Sequence, residues 1–371
     1  MPRKKVSPLF PKPIRVLLHL PEADWPEGDR RRFAEAFYQP HDMFADTASG
    51  THLRSATKDA IHFSYRRWMG WIRSSHPDLM DAPPEFRVTP ALLKDYVAHL
   101  RESCNERSVA TQIAKLHDAF RYMYPERDWA WLREMTTRLE RGIPKRGRKP
   151  ILLTSQVLID RSLARLDAVD ADYENCHPDT TGKDIQYLAL RYRDGLLVAL
   201  AGFQPLRRRN LTELVIGSTL LRGTSGWLIS MPGEQVKNGE PIDAELPVWI
   251  SERVDRYLEV YRPLIYRSAT HQGLWATAKG VPAGGVALYL AFQKETYKAL
   301  GVHLTLHDTR RIAATTWAIH DPVNFAGAKD LLADRTDRVI AENYNLASGI
   351  EASRRMALIR ERLMHEELDP A

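Results

Sequence analysis

The chain has 371 residues, enough for two domains, and its 44% hydrophobic content supports a substantial core. No apolar run reaches the length of about eighteen residues that a membrane-spanning helix needs, and the basic, proline-rich start lacks the apolar region of a secretory signal. The two cysteines, Cys104 and Cys176, exclude a disulfide scaffold and a zinc finger and indicate a reducing cytoplasm. A net charge of +6 suits a polyanionic partner, but this signal alone is weak.

Residues 1–50 are rich in proline and charge. Prolines recur from Pro8 to Pro40, and because proline lacks a backbone N–H and clashes with the preceding turn, they forbid a long helix. A short helix around Asp29–Phe37 is compatible with the pattern. We therefore interpret 1–50 as an extended arm of unknown role.

Residues 52–140 show the period of amphipathic helices. Apolar side chains recur at steps of three and four residues through four successive segments, which predicts a compact all-α domain. Thr89 and Ser108 are suitable N-caps for the second and third helices. The other face of the third helix is polar and cationic. A solvated surface is the simpler interpretation of that face, and contact with DNA is the alternative for Gln112, Lys115 and Arg121.

The next ten residues, 141–150, form a basic linker. Five cations and no acid stand between Arg141 and Lys149, interrupted by glycine and proline. A solvated linker is one interpretation. The other is that the segment lies along DNA between two DNA-binding halves and neutralises phosphates through Arg146, Arg148 and Lys149.

A second domain follows the linker and combines helices with a small sheet. Tyr187–Phe203 is strongly apolar at helical period. Two extended runs, Trp227–Met231 and Ile242–Val248, flank a turn with Asn238 and Gly239, a strong hairpin signal. The predicted fold class is therefore mainly α with a small β-sheet. Further helices are predicted over Ser251–Tyr261, Ala287–Leu300, Arg310–Ile319, Asn324–Leu332 and Ile350–Glu366.

Four segments of this second part carry residues suited to phosphodiester transfer. Without a metal, that chemistry needs cations for the phosphate oxygens, a nucleophile, and an acid for the departing oxygen. Arginine binds phosphate bidentately, lysine can serve as the acid, and tyrosine can serve as a covalent nucleophile. P-loop, GxGxxG and HExxH motifs do not occur in the sequence, so nucleotide hydrolysis and zinc peptidase chemistry lack their signatures. The four segments are Gly202–Leu214, Val236–Gly239, Leu306–Thr315 and Asp330–Ala347.

In order, these segments resemble the motif boxes of the tyrosine recombinase (phage integrase) family. Gly-x-x-x-Leu-Arg207-x-x-Asn210-Leu is similar to the first arginine box, where glutamate commonly stands in place of Asn210. Lys237 lies on the turn of the family's catalytic lysine. His307-x-x-Arg310, followed by Ala-Ala-Thr, is similar to the second box.

The last segment resembles the family's third box and nucleophile. Leu-Leu-Ala-Asp334 matches the Leu-Leu-Gly-His box, and Tyr344 follows ten residues later. Each motif alone is weak, but four in one order after an all-helical domain form a far stronger signal. The resemblance covers roughly residues 55–350 and is to bacterial members of the family.

The resemblance implies a role for each of these residues. Arg207 and Arg310 would clamp the scissile phosphate, and His307 would hydrogen-bond it and assist deprotonation of Tyr344. Lys237 would protonate the leaving 5′ oxygen. Tyr344 would form a 3′-phosphotyrosyl bond that the 5′ hydroxyl of another strand reverses. Neither a metal nor ATP is implied, so no cofactor is expected.

The resemblance also implies a domain plan and partners. Residues 52–140 would be a helical core-binding (SAM-like) DNA-binding domain, 151–350 the catalytic domain, and 351–371 a C-terminal tail helix. The expected partner is double-stranded DNA. The protein would act on it as an integrase or transposase of a mobile element, in the bacterial cytoplasm and nucleoid. A monomer in free solution and a homotetramer on paired sites are expected, and sister recombinases are further candidates. The apolar stripe of Met356, Ile359 and Leu363 is then expected to dock into a neighbouring protomer.

Asp334 departs from the family, which has histidine or sometimes tryptophan at that place. An ionised carboxylate repels phosphate and cannot donate a hydrogen bond. Asp334 could point away, with Arg335 or Arg338 donating instead. It could be protonated in a closed site, or the enzyme could be slow, degenerate or dependent on a partner. The matches elsewhere favour retained catalysis.

Three other functions compete with an active recombinase. The first is a non-catalytic or partner-dependent DNA-binding subunit, which a test for a covalent protein–DNA adduct would distinguish. The second is a relaxing topoisomerase of the related type IB class, acting as a monomer on unspecific DNA. The third is a helical transcriptional regulator, which would have no need of Lys237 and Tyr344 at their positions.

Overall fold

The computed structural model describes residues 19–38, 48–143, 153–177, 179–321, 325–332 and 356–360. The chain divides into two compact units, Met1–Gly147 and Arg148–Ala371. Both are mainly helical, and three short strands in the second unit form the small sheet that the sequence predicts. Within these ranges no helix is both long and apolar enough to cross a membrane.

The described residues of the first unit form five α-helices around one apolar core. Thr89 caps α3 as predicted, because its Oγ1 accepts a hydrogen bond from the backbone N–H of Leu92. The cap of α4 is Asn105, whose Oδ1 accepts from Ser108 N at 3.0 Å, so the cap predicted at Ser108 lies three residues too late. The five helices are α1 (Glu27–Phe37), α2 (Ser55–Ser75), α3 (Pro90–Ser103), α4 (Glu106–Met123) and α5 (Ala130–Arg141).

Residues 19–38 belong to this core. Leu20, Trp25 and Phe33 are buried against side chains of α2 and α4. Leu20 is also fixed through its backbone, since its N–H donates to Arg66 O and its carbonyl accepts from Trp25 Nε1, both at 3.0 Å. The extended arm expected over 1–50 is therefore corrected for these residues, because apolar burial outweighs the tendency of the prolines to extend the chain.

A buried ion pair joins α1 to the segment before α3. Arg87 Nη1 donates to Asp29 Oδ1 at 2.7 Å, and both side chains are almost fully buried. Its other nitrogens donate to the carbonyls of Leu79, Met80 and Ala82. Tyr65 also donates to Asp29, and burial, followed by the Asp29 carboxylate, raises the pKa of Tyr65 well above its ordinary value. The phenol therefore stays protonated and donates to the carboxylate.

The second unit surrounds the long apolar helix α7 (Gly182–Phe203), whose C-terminal half is almost entirely buried. Helix α6 (Ser155–Glu174) packs along it closely enough that Gly195 lies directly against Leu166. The remaining helices are α8 (Arg208–Thr212), α9 (Val248–Arg256, continuing as one π-helical turn over Tyr257–Tyr261), α10 (Gly285–Leu300), α11 (Leu306–His320) and α12 (Phe325–Leu332). Residues 356–360 are also helical.

The sheet is antiparallel with the order β1-β2-β3. Strand β2 (Trp227–Met231) pairs with β3 (Ile242–Glu245). The first predicted extended run is therefore confirmed, whereas the second, predicted over Ile242–Val248, ends at Glu245 because Val248 begins α9. Strand β1 (Leu220–Arg222) pairs with the other edge of β2 and is not predicted from the sequence. The connection from β2 to β3 is a ten-residue loop (residues 232–241) rather than a tight hairpin.

Candidate active site

Arg207 stands where α7 gives way to α8. Helix α7 ends at Phe203, the chain turns through Gln204–Leu206, and Arg207 is the N-cap residue of α8. Asn210 and Leu211 bury the inner side of this short helix, whereas Arg207 is half-buried at its start. The sequence that follows the long, largely buried helix α7 thus places a permanent cation at the start of α8.

Lys237 lies on the loop 232–241, which contacts α8. Arg207 Nη1 donates to Asn238 Oδ1 at 3.3 Å, and Asn210 Nδ2 donates to Gln235 O at 3.3 Å. Lys237 stands between the two bonded positions and its side chain is exposed. The structure therefore brings the predicted arginine and the predicted lysine into one neighbourhood.

His307 and Arg310 lie in the first turns of α11. The helix begins with a capping box, in which Thr305 and Asp308 exchange side-chain and backbone hydrogen bonds. His307 is exposed in the first turn, and Arg310 follows three residues later on the same face. The N-terminus of a helix carries partial positive charge and favours a phosphate, so this turn suits an anion.

Arg310 is buried and connects three parts of the unit. Its Nη1 donates to Pro205 O at 3.0 Å, two residues before Arg207. Its Nη2 donates to Leu332 O at 2.7 Å, at the end of α12 and two residues before Asp334. A guanidinium has five N–H donors, so it can bind two carbonyls and a phosphate together. Arg310 thus links the first arginine box to the segment that leads into the third.

The other predicted catalytic residues, Asp334 and Tyr344, lie outside the described residues. The same holds for Arg335 and Arg338, which were alternatives for the third box, and for the linker cations Arg146, Arg148 and Lys149. Four of the six catalytic candidates are therefore described. Contacts connect the segments of Arg207, Lys237 and Arg310, and His307 belongs to the helix of Arg310. Among the residues that the structure describes, no group of three or more potential metal ligands occurs.

One predicted DNA contact of the first unit needs correction. Gln112 is buried, and its Nε2 donates to Ser64 O at 3.2 Å, so it joins α4 to α2 and does not face solvent. Its place three residues after Val109 and four before Leu116 puts it on the apolar stripe, a signal that the sequence offered. Lys115 pairs with Asp118 at 2.8 Å, and Arg121 stacks on the Tyr122 ring. These two remain candidates for a DNA contact.

A groove of mixed charge lies between α4 and α5 and is not predicted from the sequence. The groove has a volume of about 630 Å³. Burial lowers the pKa of His117 in its wall. Three arginines and three acids line it, so no run of one charge in the sequence marks it: Arg121, Arg127, Arg133, Asp118, Asp128 and Glu140.

Comparisons with known proteins place the fold. No protein-family model matches the sequence, and no curated protein matches it. Among solved structures, the chain is similar to XerH site-specific recombinase bound to difH substrate, with a TM-score of 0.51 and 12% identity over 85% of this chain and 91% of that one. A lambda integrase dimer bound to a COC′ core site is 18% identical over 80% of this chain and 73% of that one, with a TM-score of 0.45, which is too distant to add weight. The likeness to XerH confirms the predicted tyrosine recombinase fold.

Proposed function

We propose that the protein is a site-specific DNA recombinase that cleaves and rejoins DNA through a 3′-phosphotyrosyl bond on Tyr344. The observation that carries the proposal is the pair of contacts from Arg207 to Asn238 and from Arg310 to Pro205. They connect residues 31 and 105 positions apart, so the three segments that carry the predicted cations meet in one place. A convergence of arginine and lysine suits the charge that develops on a phosphate during transfer.

The chemistry follows from the residue types. Tyr344 Oη forms a bond to phosphorus while the bond from phosphorus to the 5′ oxygen breaks, and its proton passes to His307. The departing 5′ oxygen takes a proton from the Lys237 ammonium. Arg207 and Arg310 hold the non-bridging oxygens as charge shifts onto them. The energy of the cleaved bond stays in the phosphotyrosyl ester, so a 5′ hydroxyl can reverse the step.

We further propose double-stranded DNA as the partner, a homotetramer on paired sites, and a place in the bacterial cytoplasm and nucleoid. The helical residues 356–360 support the assembly, because Met356 and Ile359 of the expected apolar stripe are each 52% exposed. Leu363, the third residue of that stripe, lies outside the described residues. The domain boundaries expected at 52–140, 141–150, 151–350 and 351–371 fit such a protein. A non-catalytic or partner-dependent subunit is the second candidate, favoured by the carboxylate at Asp334.

A library of nicked DNA duplexes with a randomised centre tests the proposal. A nick beside the scissile phosphate releases a short strand after cleavage, so the covalent intermediate accumulates. We expect a fraction of the DNA to stay attached to the denatured protein, and sequencing of that fraction to give one common site. Binding of a common site without any covalent product would support the non-catalytic subunit. If the protein gives neither a covalent product nor a common bound site, the proposed function is wrong.

Binding is expected to depend steeply on salt, because each neutralised phosphate releases counterions. Replacing Arg146, Arg148 and Lys149 together by alanine should weaken binding to all sequences and reduce the slope of log affinity against log salt by about three. Fluorescence anisotropy over a salt series measures the slope. A matched control replaces Lys183, Lys279 and Lys298, exposed in the second unit. An equal change in both variants would show a general charge effect and not linker contacts.

Asp334→His is expected to raise adduct yield about tenfold if this position faces the phosphate, because one good donor to the developing charge contributes ~1.4 kcal/mol or more. If Asp334 points away, the change should do little, and Arg335→Ala or Arg338→Ala should be damaging. If the wild type is a degenerate subunit, only Asp334→His or an added partner should yield adduct. Adduct yield on one nicked site distinguishes these cases. A loss of activity in Asp334→His would make the carboxylate itself a working group.

A further inference from the structure

Two side-chain amides fix the loop that carries Lys237 against α8. We refer to residues 232–241 as the lysine loop. Asn210, only 1% exposed, donates from Nδ2 to Gln235 O, and Asn238 accepts from Arg207 Nη1, both at 3.3 Å. One bond lies two residues before Lys237 and the other lies one residue after it. The chain is therefore hydrogen-bonded to Arg207 and α8 on both sides of Lys237.

The lysine loop is also folded tightly on itself. Val236 is buried, its N–H donates to Gly233 O, and its carbonyl accepts from Gly239 N, each at 3.0 Å. Gly233 packs so closely on Gly239 that a Cβ would lie 2.3 Å from the Gly239 carbonyl oxygen. Gly239 has a φ of +80°, which favours glycine. The backbone on both sides of Lys237 is thus held, and the lysine itself is exposed.

The direction of the Asn210 hydrogen bond matters. At this position the amide donates to a backbone carbonyl. A carboxylate has no donor when ionised, and it would place negative charge against the Gln235 carbonyl oxygen in a buried setting. The lysine loop of this chain therefore requires an amide at position 210. We expect an aspartate at this position to displace the loop.

We infer that Asn210 and Asn238 are positioning residues that place the Lys237 ammonium at the leaving oxygen of a phosphate held by Arg207. This inference rests on the proposed recombinase function. Because a misplacement of about 1 Å can lower a rate by about 100-fold, breaking either contact should damage proton donation to the leaving group more than phosphate binding.

A sulfur-containing DNA substrate tests this role. In a 5′-bridging phosphorothiolate the leaving group is a thiolate, which departs without a proton, so the substrate does not need the lysine. Asn210→Asp and Asn238→Ala should lower cleavage of ordinary nicked DNA by about 10- to 100-fold, and the sulfur substrate should restore it. Lys237→Ala should show the same rescue, whereas Arg310→Ala should not.

Asn175→Asp is the matched control. Asn175 is exposed at the end of α6, and its Nδ2 also donates to a backbone carbonyl, that of Ala171, at 2.8 Å. The Asn175→Asp variant should cleave both substrates at the wild-type rate. Equal losses on both substrates in Asn210→Asp and Asn238→Ala, or no loss at all, would overturn the inference. A wild type that forms no adduct on either substrate would instead overturn the proposed function, on which the inference rests.

Discussion

Tyr344→Phe is expected to abolish the covalent protein–DNA adduct while leaving DNA affinity within about twofold of the wild type. The change removes one hydroxyl, which is the proposed nucleophile, and leaves the ring in place. No other group should replace it, because the attacking oxygen must approach in line with the leaving oxygen. Adduct on a nicked site is measured after denaturation, and affinity is measured separately by anisotropy.

Tyr297→Phe is the matched control for this experiment. Tyr297 is exposed on α10 and stacks on His303, and it is not one of the proposed catalytic residues. Its loss of a hydroxyl should leave the adduct unchanged. Adduct persisting in Tyr344→Phe would mean that another residue is the nucleophile. A loss of affinity as large as the loss of adduct would show that the hydroxyl serves binding instead.

Arg310→Ala is expected to reduce cleavage about as severely as Tyr344→Phe, but its effect is harder to interpret. Arg310→Ala should lower cleavage by several orders of magnitude, because it removes a charge-assisted clamp on the transition state. The same variant also removes the donors to the Pro205 and Leu332 carbonyls. Buried carbonyls left without a hydrogen bond lower stability. A loss of activity in Arg310→Ala therefore combines the loss of phosphate binding with a local structural change. Tyr344→Phe separates the two.

The helices of the fold could be predicted because burial follows the helical period. In α4 the predicted apolar residues Val109, Ile113, Leu116 and Phe120 are all fully buried. Strand β1 was missed because it spans three residues and exists through pairing with Trp227 to Ile229. The packing of residues 19–38 was missed for a similar reason, since contacts across the fold outweigh the local signal of the prolines.

The residue types of the candidate site could be predicted, but their connections could not. The motifs point to Arg207, Lys237, His307 and Arg310, because phosphate chemistry restricts which side chains can serve. No local pattern indicates that Arg310 reaches a carbonyl 105 positions earlier in the chain. Nor does any local pattern indicate that Asn210 bonds to the lysine loop, 25 positions later in the chain.

Arg87→Ala is expected to destabilise the first unit by about 3–5 kcal/mol. The change leaves the Asp29 carboxylate buried without its cation, and removing one partner of a buried pair is far costlier than removing an exposed pair. Asp29 Oδ2 is buried and has no hydrogen-bond partner among the described atoms. Because water does not reach this oxygen, solvent does not compensate the carboxylate charge. Hydrogen exchange of the full chain, followed by mass spectrometry, should show lost protection in peptides of α1 and α2.

Two further variants make the cause identifiable. Arg127→Ala breaks a partly exposed pair of the same unit, in which Arg127 lies 3.3 Å from Glu85, and should cost no more than about 1 kcal/mol. Asp29→Asn combined with Arg87→Ala should recover part of the loss, because it removes the uncompensated charge while keeping the shape of the side chain. A double variant as unstable as Arg87→Ala alone would show that the bonds from Arg87 to the carbonyls of Leu79, Met80 and Ala82 hold the unit together, and that the ion pair contributes little.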